Sequence, residues 1–471
     1  MKTTLKFGTS GLRGLASDLI GPEARRYVRA FLRVLQERGE VIPALYLGGD
    51  FRKSSAQIIN DCIAAAAELG VKAIYCGTLP TPALAAHAIA SRAPSIMVTG
   101  SHIPEDRNGL KFYSRQGEIC KADEVAIAEA LETETPGNYQ ASAEDETAAA
   151  RQLYVERYAD FLLPEALMGM RIGVFEHSSV ARDLIVDILT SFGAEITRLG
   201  RIEGFVAVDT EALTDPVFRP LKGWVRQHGL EAIVSTDGDA DRPLLIDGTG
   251  RFVRGDVLGL LTAVFVAADR VVTPVTSNSA IEDMDCFREV YRTRVGSPYV
   301  IEAMTKVLQA GGQRVIGFEA NGGTLLGNNL AGDAKLARLM TRDAMLPLLG
   351  TLGLAARQKK SVAELVDGLP LRTALSDRIE SISQVHSAAF LDKLRQPEAA
   401  AAYFRPNAIS RMADIDGLQF WLESRTMIHY RASGNAPELR CYVEADNRAA
   451  AENALEWGLD AALHALKKIG A

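Results

Sequence analysis

The sequence has few cysteines and no pattern that would pair them. They are odd in number, dispersed along the chain and form no CxxC pair: Cys62, Cys76, Cys120, Cys286 and Cys441. This disfavours a disulfide framework or a zinc site and favours a reducing compartment. The sequence also lacks an apolar run long enough to span a bilayer, and its start, MKTTLKFGTSGLRG, lacks the apolar core of a secretory signal. We therefore predict a cytoplasmic protein with no membrane partner.

Positive charge and nucleotide-binding motifs are also lacking. The formal net charge of −7 disfavours a nucleic-acid partner, although a few arginines in a cleft would still suit an anionic substrate. Neither GxxxxGK[ST] nor GxGxxG occurs in the sequence. We therefore expect any phosphate chemistry to be independent of bound ATP or NAD.

The pattern of strands and helices predicts several domains. A length of 471 residues, with 47% hydrophobic and 24% charged residues, is typical of a globular chain with more than one core. Strands and helices alternate in three successive sets, and a helix-rich stretch near 334–368 precedes a segment of strands with a long final helix. We predict three mixed α/β domains and a smaller α+β domain, at residues 1–140, 150–249, 250–367 and 370–471.

Three apolar strands each stop in a polar loop: SIMVTGSHIP, AIVSTDGDADR and RVIGFEANGG. In open α/β sheets, ligands bind beyond the carboxyl ends of the strands, so the three loops are expected to meet in one cleft. The alternative is that they are ordinary loops, which are polar in any case.

The loop DGDADR has the most specific chemistry. Asp237, Asp239 and Asp241 alternate with small residues, and three carboxylates that face one point would repel one another without a divalent cation. Magnesium prefers such oxygen ligands. A calcium loop is excluded because Arg242 and Gly248 stand where that motif needs Gly and Glu. A solvated acidic turn remains the alternative, with Arg242 then serving only to balance charge.

A second anion-binding pattern lies near the C-terminus, in RASGNAPELR. Arg431 offers a planar fork of donors, and Ser433, Gly434 and Asn435 offer hydroxyl, amide and backbone N–H groups to phosphate oxygens. A glycine-containing turn between two strands would have a similar sequence.

Ser101 and His102, in TGSHIP, are adjacent. On an extended chain, neighbouring side chains point to opposite sides, so we do not expect a catalytic dyad here, and the GxSxG motif is absent. A serine at the end of a strand that faces a metal site is suited to carrying a phosphoryl group. An ordinary turn serine is the alternative.

These motifs resemble those of the α-D-phosphohexomutase family. FGTSGLRG, TGSHIP, DGDADR and RASGNAPELR occur in the family's order over nearly the whole chain, where the family has T-A-S-H-N-P and R-P-S-G-T-E-P. The resemblance implies four domains around a central cleft and one Mg²⁺ per chain. It also implies a hexose phosphate substrate and hexose 1,6-bisphosphate as activator. We expect a monomer or homodimer.

The resemblance also implies a role for each motif residue. Catalytic roles fall to Ser101, His102, Lys111, Arg13 and Arg242, with a packing role as the alternative for His102 and an exposed charge for Lys111 and Arg13. Metal ligation falls to Ser101 and the three aspartates. Substrate binding falls to Gly296, Glu319, Asn321, Arg431, Ser433, Gly434 and Asn435.

The sequence also departs from the family pattern. Gly100 and Ile103 replace Ala and Asn around the serine, and Ala432, Asn435 and Ala436 change the C-terminal loop. The sugar loop G-E-x-S-G-H is FEANGG here, so Asn321 replaces Ser and Gly323 replaces His.

The predicted activity is the interconversion of mannose 6-phosphate and mannose 1-phosphate through a phosphoserine enzyme and a hexose 1,6-bisphosphate. The close alternatives are glucose phosphate and glucosamine or N-acetylglucosamine phosphate as substrate. Two alternatives from other classes are a metal-dependent sugar phosphatase and a non-catalytic sugar-phosphate binder.

Overall fold

A computed structural model describes residues 4–8, 10–131, 141–211, 216–434 and 437–469. The chain divides into two compact units. The first comprises residues 1–272, 286–289 and 296–368, and the second comprises 273–285, 290–295 and 369–471. No helix among the described residues is both long and apolar enough to cross a membrane.

The first sheet of unit one has the order β1-β2-β6-β5-β3-β4-β8, with β7 paired to β6. Its strands are β1 (Lys6–Phe7), β2 (Leu12–Leu15), β3 (Ala44–Gly49), β4 (Lys72–Thr78), β5 (Ser95–Val98), β6 (Arg107–Ser114), β7 (Gly117–Glu118) and β8 (Glu144–Asp145). β3 is parallel to β4 and β5, whereas β6 is antiparallel to β5 and forms a hairpin with β7. β3, β4 and β5 therefore run parallel in the sheet. The serine loop, residues 99–104, begins at the carboxyl end of β5.

The helices around this sheet are α1 (Ala16–Leu19), α2 (Pro22–Glu37), α3 (Lys53–Glu68), α4 (Thr81–Ala90), α5 (Lys121–Ala130) and α6 (Thr147–Tyr158). α3 buries Ile58, Ile59, Cys62 and Ile63, whose spacing forms one apolar helical face. The residue at the N-cap of this helix is Arg52.

The second sheet has the order β10-β9-β11-β12-β13. Its strands are β9 (Arg171–His177), β10 (Glu195–Arg201), β11 (Ala232–Thr236), β12 (Pro243–Asp247) and β13 (Phe252–Val253), with helices α7 (Arg182–Ser191) and α8 (Leu221–His228). β9 is parallel to β10 and β11, and β12 turns back antiparallel to β11. The tight return from β11 to β12 carries the DGDADR loop.

The third sheet has the order β15-β14-β16-β17-β18. Its strands are β14 (Arg270–Pro274), β15 (Glu289–Thr293), β16 (Val315–Phe318), β17 (Thr324–Leu326) and β18 (Leu339–Asp343). Its helices are α9 (Gly255–Phe265), α10 (Ser297–Gln309), α11 (Met345–Gln358) and α12 (Val362–Asp367). The expectation of helix from about residue 334 is wrong over β18, because this short buried segment pairs with β17.

The fourth sheet lies in unit two and is antiparallel throughout, in the order β19-β23-β22-β21-β20. Its strands are β19 (Thr373–Glu380), β20 (Ile409–Ala413), β21 (Leu418–Leu422), β22 (Met427–Ala432) and β23 (Glu438–Ala445). Its helices are α13 (Gln384–Leu394), α14 (Pro397–Tyr403) and α15 (Arg448–Ile469). Three mixed sheets followed by a smaller α+β region confirm the predicted fold class, while the four exact domain boundaries stay a prediction.

Candidate functional site

The serine loop and the aspartate loop meet inside unit one. Ser101 follows β5 and is buried, with 1% of its surface exposed. Its Oγ donates a hydrogen bond of 2.5 Å to Oδ2 of Asp237, which follows β11. Two loops that are 136 residues apart in the chain therefore place a hydroxyl against a carboxylate.

His102 lies beside the same hydroxyl, contrary to the expectation that the two side chains diverge. Its Nδ1 is 3.2 Å from Ser101 Oγ. The reason is that Ser101 is not extended but has a φ of 55°, in the left-handed region. Burial, together with the positive charges of Arg242 and Arg13, holds the pKa of His102 well below its usual range. The imidazole is therefore neutral at neutral pH.

Arg52, which the sequence analysis missed, holds the serine loop in place. Its guanidinium donates to the carbonyl oxygens of Ser101 (3.0 Å), Ile103 (2.6 Å) and Pro104 (2.6 Å). A Cβ at Gly100 would lie 2.6 Å from Arg52 Cζ, so the departure from the family's alanine makes room for this arginine. Arg52 caps α3 at the carboxyl end of β3, and its position at a strand end was the available signal.

Asp237, Asp239 and Asp241 form a buried triad. Their exposed fractions are 0%, 0% and 1%, and each has a carboxylate oxygen within 4.8 Å of the others. Among the described residues, this is the one group of at least three acidic, histidine or cysteine side chains that can surround a metal ion. Asp237 Oδ1 accepts the backbone N–H groups of Asp241 and Arg242, both at 3.2 Å, so the loop curls around that carboxylate.

Lys111 and Thr81 hold two of the carboxylates. Lys111 Nζ donates at 2.5 Å to Oδ2 of both Asp239 and Asp241, and Thr81 Oγ1 donates at 2.6 Å to Asp239 Oδ2. Lys111 was predicted from its motif, and Thr81 was missed because it begins α4, far from any motif. Burial alone would raise the pKa of Asp239, but Lys111 and Thr81 outweigh burial and hold it below its usual range.

The triad fits a divalent cation. Asp239 Oδ1 and Asp241 Oδ1 are buried and have no hydrogen-bond partner, which is costly for carboxylate oxygens unless a cation takes them. Burial raises the pKa of Asp237 well above its usual range, and the charges of Asp239 and Asp241 raise it further. A dication would remove that repulsion, and hard oxygen ligands suit magnesium.

Arg13 and Arg242 add positive charge near the triad. Arg13 lies on β2, opposite Gly109 of β6, and its buried Nε makes no hydrogen bond. Burial, with Arg242 adding to it, lowers the pKa of Arg13 to about 10, so the side chain stays charged at neutral pH. Arg242 Nε is 4.0 Å from Asp241 Oδ1, and its Nη1 is 3.4 Å from Glu211 Oε2.

The third loop joins the site through Arg342, which was also missed. Arg342, on β18, donates to Glu319 Oε2 at 2.8 Å, to Asp241 Oδ2 at 2.6 Å and to Ser10 Oγ at 2.9 Å. The expected meeting of the three strand-end loops is therefore present in unit one. Asn321 Oδ1 accepts the N–H of Gly323 within its own loop, at 3.0 Å.

Gly296 has a φ of 132°, which favours glycine, and it caps the N-terminus of α10. The preceding strand, β15, ends at Thr293, and Ser297 and Pro298 form the first turn of this helix.

The C-terminal loop belongs to unit two. Arg431, on β22, donates from Nε to Asp416 Oδ2 at 2.7 Å and is 8% exposed. Ser433 N–H donates to Glu438 O at 3.0 Å, and Gly434 follows Ser433 directly. Asn435 lies outside the described residues.

Comparisons with known proteins bear on these motifs directly. The family models for domain I and domain III of phosphoglucomutase/phosphomannomutase match residues 4–138 and 254–372. A curated phosphomannomutase of Sinorhizobium fredii (strain NBRC 101917 / NGR234) is 46% identical over 465 residues, covering 96% of this chain and 98% of the relative. The chain belongs to the phosphoglucomutase/phosphomannomutase family.

A second relative of the phosphohexomutase family agrees. A curated phosphomannomutase of Salmonella muenchen is 42% identical over 460 residues, covering 97% of this chain and 95% of the relative. A crystal structure of a phosphoglucomutase/phosphomannomutase family protein from Burkholderia thailandensis shares the fold, with a TM-score of 0.75. That structure is 21% identical to this chain, and the match covers 98% of this chain and 97% of the other. The predicted class, a phosphohexomutase acting as an isomerase-type phosphotransferase, is confirmed.

Proposed function

We propose that this phosphohexomutase interconverts mannose 6-phosphate and mannose 1-phosphate, with Ser101 as the phosphate carrier. The observation that carries the proposal is the buried Ser101 hydroxyl, 2.5 Å from Asp237 beside two further aspartates. The high identity to curated phosphomannomutases supports mannose over glucose or glucosamine phosphate.

Phosphoserine 101 gives its phosphoryl group to the C1 hydroxyl of mannose 6-phosphate. The bond from phosphorus to the Ser101 oxygen breaks, a bond to the sugar oxygen forms, and the hydroxyl proton ends on Ser101. The product, a hexose 1,6-bisphosphate, turns over and returns its 6-phosphoryl group to Ser101. The bond from phosphorus to the C6 oxygen breaks, the Ser101 proton passes to that oxygen, and mannose 1-phosphate is released. Free bisphosphate acts as activator because it loads an enzyme that has lost its phosphate.

Charge neutralisation is the main catalytic task of the chain. Phosphoryl transfer passes through a loose state with negative charge spread over the oxygens. Lys111, Arg13 and Arg242 supply positive charge there. His102, within 3.2 Å of the hydroxyl, orients it.

One Mg²⁺ per chain would be held by Asp237, Asp239, Asp241 and Ser101. When bound, it supplies positive charge to phosphate oxygens. The two unpartnered Oδ1 atoms of Asp239 and Asp241 support this assignment.

Substrate binding is divided between two groups of residues. Glu319, Asn321 and Gly296 would contact the sugar. Arg431, Ser433, Gly434 and Asn435 would hold the phosphate that is not being transferred, because a planar guanidinium with hydroxyl and backbone donors suits its oxygens.

We also propose four domains with the boundaries 1–140, 150–249, 250–367 and 370–471, one for each sheet. A cytoplasmic location, a monomeric or homodimeric state and the absence of nucleic-acid or membrane partners complete the proposal.

Parallel assays test this function. Mannose 1-phosphate, glucose 1-phosphate and glucosamine 1-phosphate are each supplied with magnesium and a trace of hexose bisphosphate, using the native chain and Ser101→Ala. We expect the highest kcat/KM with mannose 1-phosphate and no turnover by the variant. Release of inorganic phosphate as the main product would favour a phosphatase, and binding without turnover would favour a sugar-phosphate binder.

A further inference from the structure

One arginine contacts both the loop that would bind the sugar, FEANGG, and the loop that would bind the metal, DGDADR. Arg342 Nη1 binds Glu319 Oε2 at 2.8 Å, and Nη2 binds Asp241 Oδ2 at 2.6 Å. Its Nε is buried without a partner, so the guanidinium is held by its two terminal nitrogens alone. The planar fork of donors lets this one side chain reach two separate carboxylates from two different nitrogens.

The loop sequence is adapted to this arginine. A Cβ at Gly323 would lie 2.7 Å from Arg342 Cδ, 2.9 Å from Arg342 Cγ and 2.8 Å from the carbonyl oxygen of Asp241. Gly323 stands where the family pattern has histidine, so neither histidine nor any other side chain fits there while Arg342 occupies the space. The glycine at position 323, where the family pattern has histidine, is therefore what allows Arg342 to occupy this space.

The strand that carries Arg342 is anchored on its other face. Successive side chains of a strand point to opposite faces. Asp343, the next residue, accepts hydrogen bonds from the buried hydroxyls of Tyr154 (2.6 Å) and Tyr158 (2.5 Å). The backbone position of Arg342 is thus fixed independently of the two carboxylates that it binds.

Glu319 keeps one oxygen for a ligand. Its Oε2 is taken by Arg342, while its Oε1 accepts no hydrogen bond from the part of the chain that the structure describes. We propose that Arg342 is a positioning residue that orients Glu319 toward the sugar hydroxyls and fixes its position relative to Asp241. This inference rests on the proposed function, because it assigns the sugar to Glu319.

Arg342→Lys is the principal test, since it keeps the charge but replaces the two nitrogens that reach Glu319 and Asp241 with a single one. We expect kcat/KM for mannose 1-phosphate to fall about 10- to 100-fold, the range of one charged hydrogen bond, mainly through KM. Glu319→Gln should lose a similar factor, and the double variant should lose little more than either single variant, because both act through the same contact. A wild-type KM for Arg342→Lys, or losses that multiply in the double variant, would overturn the proposal.

Two further variants separate positioning from stability. Gly323→Ala would press on both Arg342 and the carbonyl oxygen of Asp241 without removing a polar group, and it should raise KM in the same way. Tyr158→Phe removes a buried hydrogen bond to the neighbouring Asp343, so it should lower the melting temperature and leave KM within about twofold. An equal rise in KM for Tyr158→Phe would show that the effect is only structural.

A binding measurement keeps this inference distinct from the proposed function. Calorimetry with mannose 1-phosphate on Ser101→Ala, with and without Arg342→Lys, needs no turnover. We expect the lysine variant to bind at least about tenfold more weakly. If the native chain shows no mutase activity but this difference is present, only the proposed function fails. Equal binding by the two proteins would overturn the role of Arg342.

Discussion

Lys111→Met should destabilise unit one strongly in the absence of a divalent cation. Lys111 is 2% exposed, and its ammonium lies 2.5 Å from Oδ2 of both Asp239 and Asp241. Each contact has a Coulomb energy of about 7 kcal/mol at an effective dielectric constant of about 20. The cost of burying the ammonium offsets much of this, and removal of one partner from a buried ion pair typically costs about 3–5 kcal/mol.

The melting temperature of the native chain and the variant is the assay, because a protein of several domains has no single free energy of unfolding. At about 2 °C per kcal/mol, a loss of 3–5 kcal/mol corresponds to a fall of about 6–10 °C in the presence of EDTA. Millimolar MgCl₂ should raise the melting temperature of the variant more than that of the native chain. The reason is that the dication replaces the missing charge at Asp239 and Asp241.

Lys306→Met is the matched control. Lys306 pairs with Glu302 at 2.6 Å on α10, but both side chains are more than half exposed, so the loss should be below about 1 kcal/mol. A fall of less than about 2 °C for Lys111→Met would refute the reasoning. So would a magnesium response of equal size in the variant and the native chain.

Two other predictions concern the serine loop and pH. Arg52→Lys should lose about 3 kcal/mol or more, because a lysine cannot donate to all the carbonyls of the serine loop, and trypsin should then cut faster after the exposed Arg107. Burial lowers the pKa of His429 to about 4, although its Nε2 donates to Asp416 O. The unfolded state therefore takes up a proton first as the pH falls. We expect stability to be lost between about pH 6.5 and 4, by up to about 3 kcal/mol, and to stay unaffected above this range. His429→Gln should flatten that part of a melting-temperature profile, and an unchanged slope would contradict the assignment.

Residues inside short motifs were predictable from the sequence because their neighbours carry the signal. Ser101, the three aspartates and Lys111 lie in segments whose residue types already suggest phosphate and metal chemistry, and the structure brings them together. The α/β pattern was predictable for a similar reason, since apolar strands and amphipathic helices alternate along the chain.

Arg52, Thr81 and Arg342 were missed because their role exists only in the folded chain. Their key partners lie 49, 158 and 101 residues away, respectively, so no local pattern indicates them. Arg342 was further hidden by the expectation of helix across β18. The available signal was the charged pair Arg342 and Asp343 beside short apolar segments. Neighbouring charged residues in a buried strand indicate hydrogen-bonded polar groups on both of its faces.

The contact between Ser101 and His102 shows how one backbone angle decides a prediction. The divergence of the two side chains was argued from an extended chain, and the left-handed φ of Ser101 removes that premise. Left-handed residues other than glycine are rare, so such a conformation is not expected from sequence.

Transfer of a phosphoryl group through Ser101 is the central claim, and peptide mass spectrometry tests it most directly. After incubation of the enzyme with hexose 1,6-bisphosphate, the peptide that contains Ser101 should carry one phosphoryl group. Addition of excess mannose 6-phosphate to the loaded enzyme should then transfer that group from Ser101 to the sugar. An unmodified Ser101 in active enzyme, or a phosphate on another residue that turns over with substrate, would contradict the account.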